Sequence, residues 1–272
     1  VVVVVVVAGV PGWYPARAHR SGPPRPAPPA SCLSRGRRGL PWAAARGMGD
    51  EEELGLPPDY GSPAFWEAHF ASAPRGDASD PEAADFEWIC QDLDRLVALL
   101  RPRLPAAGPV LHPGCGMSQL PARLAACTGL HVLSLDGSPS CVAAMRRAHA
   151  GEGALAWELC DVRQLDELPA ARAARAACAV EKGCLDALLC DSDEAAARYL
   201  AALARVLPPG GRLLLVSTLR AGELWSTPAR HRHFTPAFRV VEVVPLSEDL
   251  SGGSLYVCER LAAPATALDE LD

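Results

Sequence analysis

The chain has 272 residues, room for one sizeable α/β domain plus extensions, and 49% of them are apolar, enough for a real core. Its net charge of −6 leaves no electrostatic footprint for nucleic acid. None of its ten cysteines forms Cys-x-x-Cys, and the close pair His231-x-His233 has no cysteine near it, so no metal is expected.

Residues 1–49 differ in composition from the rest of the chain. Val1 to Val7 is a valine run, too short to span a bilayer and without a basic segment before it. From Pro11 to Gly49 there are seven arginines, many prolines and no acidic residue. Two readings compete: a mitochondrial presequence, or translated sequence upstream of a start at Met48. The first implies the mitochondrial matrix and the second the cytoplasm. Either way the composition predicts a disordered leader. Residues 50–84 read as a lid or linker, opening on the acidic Asp50-Glu51-Glu52-Glu53. Within them Ala64 to Phe70 is a short helix candidate with aromatics at 65, 66 and 70.

The domain proper spans 85–262, with 263–272 a loose tail. Asp85 to Leu104 is predicted as one helix, because Trp88, Ile89, Leu93, Leu96, Val97 and Leu100 keep a three-to-four residue spacing and Pro102 and Pro105 end it. Val110–Leu111 then opens the core as a short buried strand running into the glycine turn Gly114-Cys115-Gly116. A helix comes next, from Gln119 to Ala126, with Ser118 as its N-cap. His131 to Asp136 is a second strand, and Ser138 to His149 a second helix with Pro139 in the favoured first position. Leu155 to Asp161 is a third strand. Ala177 to Val180 is a weak fourth, with Glu181-Lys182-Gly183 just past it. Asp193 to Leu207 is a helix, and Arg212 to Ser217 a fifth strand. Phe238–Val244 and Ser254–Leu261 have no helix between them and close the sheet as an antiparallel pair. The alternation predicts a parallel, doubly wound, Rossmann-like α/β fold with helices on both faces. Cys141, Cys160, Cys178 and Cys258 fall inside apolar runs and read as buried free thiols.

In an open α/β sheet, ligands bind outside the carboxyl ends of the strands. Gly114 and Gly116 permit close backbone approach there. Asp136 lies 22 residues after Gly114, near the spacing of a ribose-binding acid. Asp161 ends the third strand, where a carboxylate meets an adenine amino group. The dinucleotide fingerprint fails, because Gln119 stands where its third glycine belongs. S-adenosylmethionine fits better: it has ribose and adenine but no pyrophosphate, so a complete phosphate loop is unnecessary.

Four segments carry a family resemblance: Val110-Leu111-x-x-Gly114-Cys115-Gly116-x-Ser118, Leu135-Asp136-x-Ser138, Asp161-Val162-Arg163-x-Leu165 and Glu181-Lys182-Gly183-x-Leu185-Asp186-Ala187-Leu188. Together they resemble the seven-strand class I methyltransferases. Among these the chain resembles the eukaryotic protein-lysine methyltransferases that carry Asp/Glu-Lys-Gly-Thr-x-Asp after the fourth strand. That group includes enzymes acting on elongation factor 1-alpha and on mitochondrial citrate synthase. The likeness runs from roughly Phe65 to Leu261 and includes Phe86-Glu87-Trp88, similar to the family's Phe-Asp-Trp.

The resemblance implies a donor site for S-adenosylmethionine made by Trp88, His112, Gly114, Cys115, Gly116, Ser118, Asp136, Gly137, Asp161, Val162 and Glu181. It implies Glu181 as the catalytic group and a protein as substrate, with neither nucleic acid nor membrane as partner. The short connection from Asp186 to Leu207 and the Arg-rich leader favour the citrate synthase type slightly, and elongation factor 1-alpha is the alternative. Two departures stand out. His112 replaces an acid that orients the donor's ammonium end, and Cys184 replaces the usual Thr. They keep a catalytically silent methyltransferase fold that binds a partner as a third reading.

Overall fold

Apolar strands alternating with amphipathic helices build the expected parallel sheet. The computed structural model describes residues 58–72, 87–224, 234, 236–248 and 250–262. The leader, the acidic run, Phe86, His231-x-His233 and the tail lie outside them. The strands are β1 (Val110–Pro113), β2 (Val132–Asp136), β3 (Leu155–Leu159), β4 (Cys178–Lys182), β5 (Arg212–Ser217), β6 (Phe238–Pro245) and β7 (Ser254–Arg260). Among the described residues they form one seven-stranded sheet, ordered β3-β2-β1-β4-β5-β7-β6. β1 pairs in parallel with β2 on one side and β4 on the other. β7 runs antiparallel to β5 and β6. The chain leaves β1 towards β2 and later returns to β4 on the opposite side. The carboxyl ends of β1 and β4 therefore form the topological switch point, where such sheets bind ligands.

The helices are α1 (Pro63–Ser72), α2 (Leu93–Leu100), α3 (Leu120–Thr128), α4 (Pro139–Ala148), α5 (Pro169–Ala174), α6 (Cys184–Asp191) and α7 (Asp193–Val206). Successive strand residues point to opposite faces, which divides the core in two. Leu111, Ala179, Leu213 and Leu215 pack against Leu185 of α6 and Tyr199 and Leu203 of α7. Val110, Cys178, Val180 and Leu214 pack against Leu93, Leu96 and Leu100 of α2 and Leu120 of α3. Full burial of each such leucine contributes about 1.5–3 kcal/mol. Ser138 caps α4 by accepting from Cys141 N at 3.1 Å, and Pro139 takes the first helical position, as expected. The four cysteines expected as buried free thiols are so. No helix among the described residues is long and apolar enough to cross a membrane.

Several expectations are corrected. The helix predicted from Asp85 begins at Leu93, where Asp92 caps it by accepting from Arg95 N at 2.9 Å. From Glu87 to Asp92, the described part before it, the backbone is not helical, and Ile89 holds a φ of +71°, costly for a β-branched residue. A 3-10 turn, Arg101–Arg103, ends the segment. The N-cap of α3 is Gln119, one residue after Ser118. Ser118 Oγ still accepts from Leu120 N at 3.1 Å. β4 runs two residues further than expected, so Glu181 and Lys182 lie inside a fully buried strand. The connection after β3 holds a 3-10 segment (Val162–Glu167) and α5, and the one after β4 holds α6, none of which the periodicity announced.

Candidate functional site

The site is built on the turn after β1. Gly114 and Gly116 hold φ of +59° and +52°, a region L side chains avoid. A Cβ on Gly114 would lie 2.5 Å from both Cβ and Sγ of Cys184 at the start of α6. A Cβ on Gly116 would lie 3.3 Å from the Phe70 ring of α1. The turn is thus held from two sides, by a thiol below and an aromatic lid above. Gly114→Ala is expected to cost about 2–5 kcal/mol, adding left-handed strain of about 1–2 to overpacking of about 1–3. Thermal unfolding of the variant checks it.

Asp136 at the end of β2 turns its carboxylate into this turn. It accepts from Gly116 N at 2.8 Å and Ser138 N at 2.9 Å. Burial raises its pKa even though those hydrogen bonds, and one from Gly137, oppose the rise. Asp161 is committed differently. Its carboxylate takes the Arg163 guanidinium at 2.6 to 3.1 Å and Arg163 N at 3.0 Å. Burial opposes ionisation, yet these hydrogen bonds hold Asp161 below its usual value. Val162 beside it is buried.

Glu181 and Lys182 alternate across the sheet. Glu181 is fully buried; its Oε2 accepts from Leu185 N at 2.9 Å, while Oε1 has no hydrogen-bond partner among the described residues. Burial, then the neighbouring Asp186, pushes its carboxyl well above the usual range. Asp186 braces the end of β5, with Oδ1 accepting from Ser217 Oγ, Thr218 N and Thr218 Oγ1 at 2.6 to 3.0 Å. Cys184 lies at the centre of this ring. Burial and the carboxylates of Glu181, Asp136, Asp186 and Asp161 push its thiol well above the ordinary value. Four carboxyl groups thus surround the Cys184 thiol near the switch point.

Lys182 does not pair with Glu181, its sequence neighbour. Its Nζ lies 3.0 Å from Glu87 Oε2 and donates to Trp88 O at 2.6 Å. Glu87 also accepts from Ser118 Oγ at 2.7 Å and Gln119 N at 2.6 Å. This buried network ties residues 87–88 to the start of α3 and the end of β4. Trp88 joins an aromatic cluster with Tyr60, Trp66 and His69, its ring centroid 5.4 to 6.2 Å from theirs. Ser118 serves this network rather than the pocket facing Asp136.

His112 is fully buried, and neither ring nitrogen has a partner among the described residues. Burial, then the charge of Lys182, pushes it down to about 3. The imidazole is neutral in the fold and protonates near pH 6.5 when unfolded. Between these values only the unfolded chain binds that proton, so stability is lost as pH falls, by about 1.4 kcal/mol per unit. Glu181 acts with the opposite sign, since the folded chain keeps its proton above the unfolded value. His112→Asn is expected to flatten the acid limb of stability, measured by urea unfolding at about pH 7 and about pH 5.

The structure thus gathers Gly114, Cys115, Gly116, Asp136, Gly137, Asp161, Val162 and Glu181 around the switch point. It places His112, Ser118 and Trp88 on the bracing side. Phe70 belongs to the helix expected in the lid segment, whereas the clamp by Glu67 was not foreseen. Glu67 accepts from Ser138 Oγ and, at 2.6 Å, from Ser140 Oγ, clamping α1 on the start of α4. The aromatic spacing of 65, 66 and 70 was the signal for the lid; nothing marked Glu67.

Residues 111–215 match the family described as "Methyltransferase domain". The seven-stranded sheet has the fold of the class I methyltransferases. The residues at the switch point fit S-adenosylmethionine as a methyl donor: Gly114 and Gly116 for close backbone approach, and Asp136 for the ribose. Among curated proteins the domain is similar to "EEF1A lysine methyltransferase 4" of Mus musculus, 32% identical over 164 residues, or 57% of this chain and 60% of the relative. The protein of that name from Bos taurus is 30% identical over the same share. The chain spans 60% of the length of these relatives. Among solved structures the domain is similar to the N-methyltransferase NodS from Bradyrhizobium japonicum with S-adenosyl-L-homocysteine, at 18% identity and a TM-score of 0.52, covering 72% of this chain and 98% of that one. It is also similar to phosphoethanolamine N-methyltransferase 1 of Haemonchus contortus, at 15% identity and a TM-score of 0.53, covering 80% and 53%. At these identities the likeness is one of fold.

Proposed function

We propose that the chain transfers methyl groups from S-adenosylmethionine to a lysine side chain of a protein, and that the protein is elongation factor 1-alpha. The orphaned Oε1 of Glu181, inside a ring of acids, carries the reading. The names of the curated relatives, both elongation-factor lysine methyltransferases, support this choice of substrate. The preference for citrate synthase finds no support among them. Its structural ground was the connection from Asp186 to Leu207, which here is filled by most of α6 and all of α7.

When bound, the donor supplies an electrophilic sulfonium methyl. The chain's residues do the rest. Gly114 and Gly116 would admit the donor against backbone, and the remaining lone pairs of Asp136 would accept from its ribose hydroxyls. α1 excludes water above the turn. Lysine must arrive as a neutral amine, against a reference pKa of about 10.4. Burial lowers that value and raises the carboxyl of Glu181, so the two approach each other and proton transfer costs less. Orientation within such a pocket is worth up to about 7–11 kcal/mol.

Radiolabelled methyl transfer by the full chain to elongation factor 1-alpha and to citrate synthase, side by side, tests the proposal. Label is expected on a lysine of elongation factor 1-alpha. Label on citrate synthase alone reverses the substrate. Label on neither, while S-adenosylhomocysteine still raises the melting temperature, overturns the lysine reading and leaves the fold as a binding module.

A further inference from the structure

Cys141 is buried beside the donor pocket, and nothing in the transfer reaction uses it. It sits in the first turn of α4, its N–H held by Ser138 Oγ at 3.1 Å. Cys115 sits in the glycine turn, its N–H donating to Leu135 O at 3.0 Å. The carboxylate of Asp136 lies beside both. One sulfur from each cysteine and one carboxylate oxygen all lie within 4.8 Å of one another. Exposure is 3% for Cys115, 8% for Asp136 and 0% for Cys141.

We propose that Cys115, Asp136 and Cys141 form a site for a thiophilic divalent cation, zinc in the first instance, in the wall of the donor pocket. A tetrahedral zinc with bonds of about 2.3 Å to sulfur and about 2.0–2.2 Å to oxygen needs ligand atoms about 3.4–3.8 Å apart. The three atoms need to draw in by at most about 1.0–1.4 Å, within reach of side-chain rotation. Two sulfurs select zinc and its softer neighbours over magnesium or calcium. The surroundings suit a metal as well. Gly116 N and Ser138 N orient the carboxylate from behind, as outer partners of a ligand do. Phe70, Val142, Met145 and Trp157 close an apolar shell around the thiols. Three protein ligands leave the fourth position for water. Thiolates are the ligand form, so metal binding displaces the thiol protons and affinity rises with pH.

The site has a consequence for the transfer reaction. Cys115 lines the turn that receives the donor, and Asp136 is the ribose acid. Zinc and donor therefore exclude each other. This competition rests on the donor reading of Asp136, whereas the metal site does not.

The test uses the full chain, reduced and kept anaerobic. Zinc titration by calorimetry is expected to show one tight equivalent, and cobalt is expected to bind with a thiolate charge-transfer band. Cys141→Ser lowers zinc affinity at least about tenfold, or about 1.4 kcal/mol, and keeps its thermal shift with S-adenosylhomocysteine. In the unmutated chain zinc protects Cys115 and Cys141 together from alkylation, mapped by mass spectrometry, which stands independently of how the variant folds. Equal affinity in Cys141→Ser, or protection of other cysteines only, overturns the site. Intact zinc binding that S-adenosylhomocysteine does not weaken leaves the site standing and overturns the ribose role of Asp136.

Discussion

Replacing Lys182 with Met is expected to destabilise the folded chain by about 3–5 kcal/mol, the usual cost of stranding one charge of a buried pair. With total stabilities of about 5–15 kcal/mol, that is a large part of the whole. The side chains of Lys182 and Glu87 are only 3% and 5% exposed, so water cannot take over the lost partner. The carboxylate of Glu87 keeps Ser118 and Gln119, while Trp88 O loses the ammonium and keeps Cys90 N at 2.8 Å. Glu87→Gln with Lys182→Met removes both charges and is expected to recover part of the loss, with a coupling of about 0.5–3 kcal/mol. Urea unfolding of the four proteins closes the cycle. A loss below about 1 kcal/mol in Lys182→Met would show a solvent-screened pair, and the bracing role given to it would fall.

That pair also shows where reading the sequence stops. Glu87 and Lys182 are 95 residues apart, and one sequence carries no signal that they meet. Local rules handled what is locally determined. Ser138 and Pro139 announce α4, the glycine turn announces its own left-handed backbone, and the missing helix between the last two strands announces their antiparallel pairing. The failures share a cause. The spacing of Trp88 and Ile89 mimics a helix, but Asp92 caps α2 and the Glu87 network pins the preceding backbone elsewhere. Glu181 and Lys182 read as loop because charge in a strand interior is unfavourable, and tertiary partners for Lys182 overrule that preference. Asp136 was legible as a strand-end acid, whereas Asp161 lies two residues past the end of β3 and caps the 3-10 segment. That Asp161 is held by Arg163 two residues on, and that Cys184 touches Gly114, are packing facts no spacing encodes.

Glu181→Gln is expected to lower the rate of methyl transfer by about 10²–10⁴-fold while leaving donor affinity within about threefold of the parent. The amide keeps the size of the carboxyl and still accepts from Leu185 N, so α6 stays in place. What it loses is the capacity to take a proton from the incoming ammonium at the unpartnered oxygen. The pH profile separates this role from a structural one. If Glu181 accepts the proton, the parent's rate rises as its raised carboxyl ionises, and the variant loses that limb. Asp186→Asn behaves otherwise, because Asp186 Oδ1 holds Ser217 and Thr218 at the end of β5. It is expected to lower stability, with the pH dependence of transfer retained. Single-turnover transfer from labelled donor, with donor affinity from calorimetry, measures both. Equal loss of rate and donor affinity in Glu181→Gln would assign Glu181 to holding the pocket, and the proton would need another acceptor.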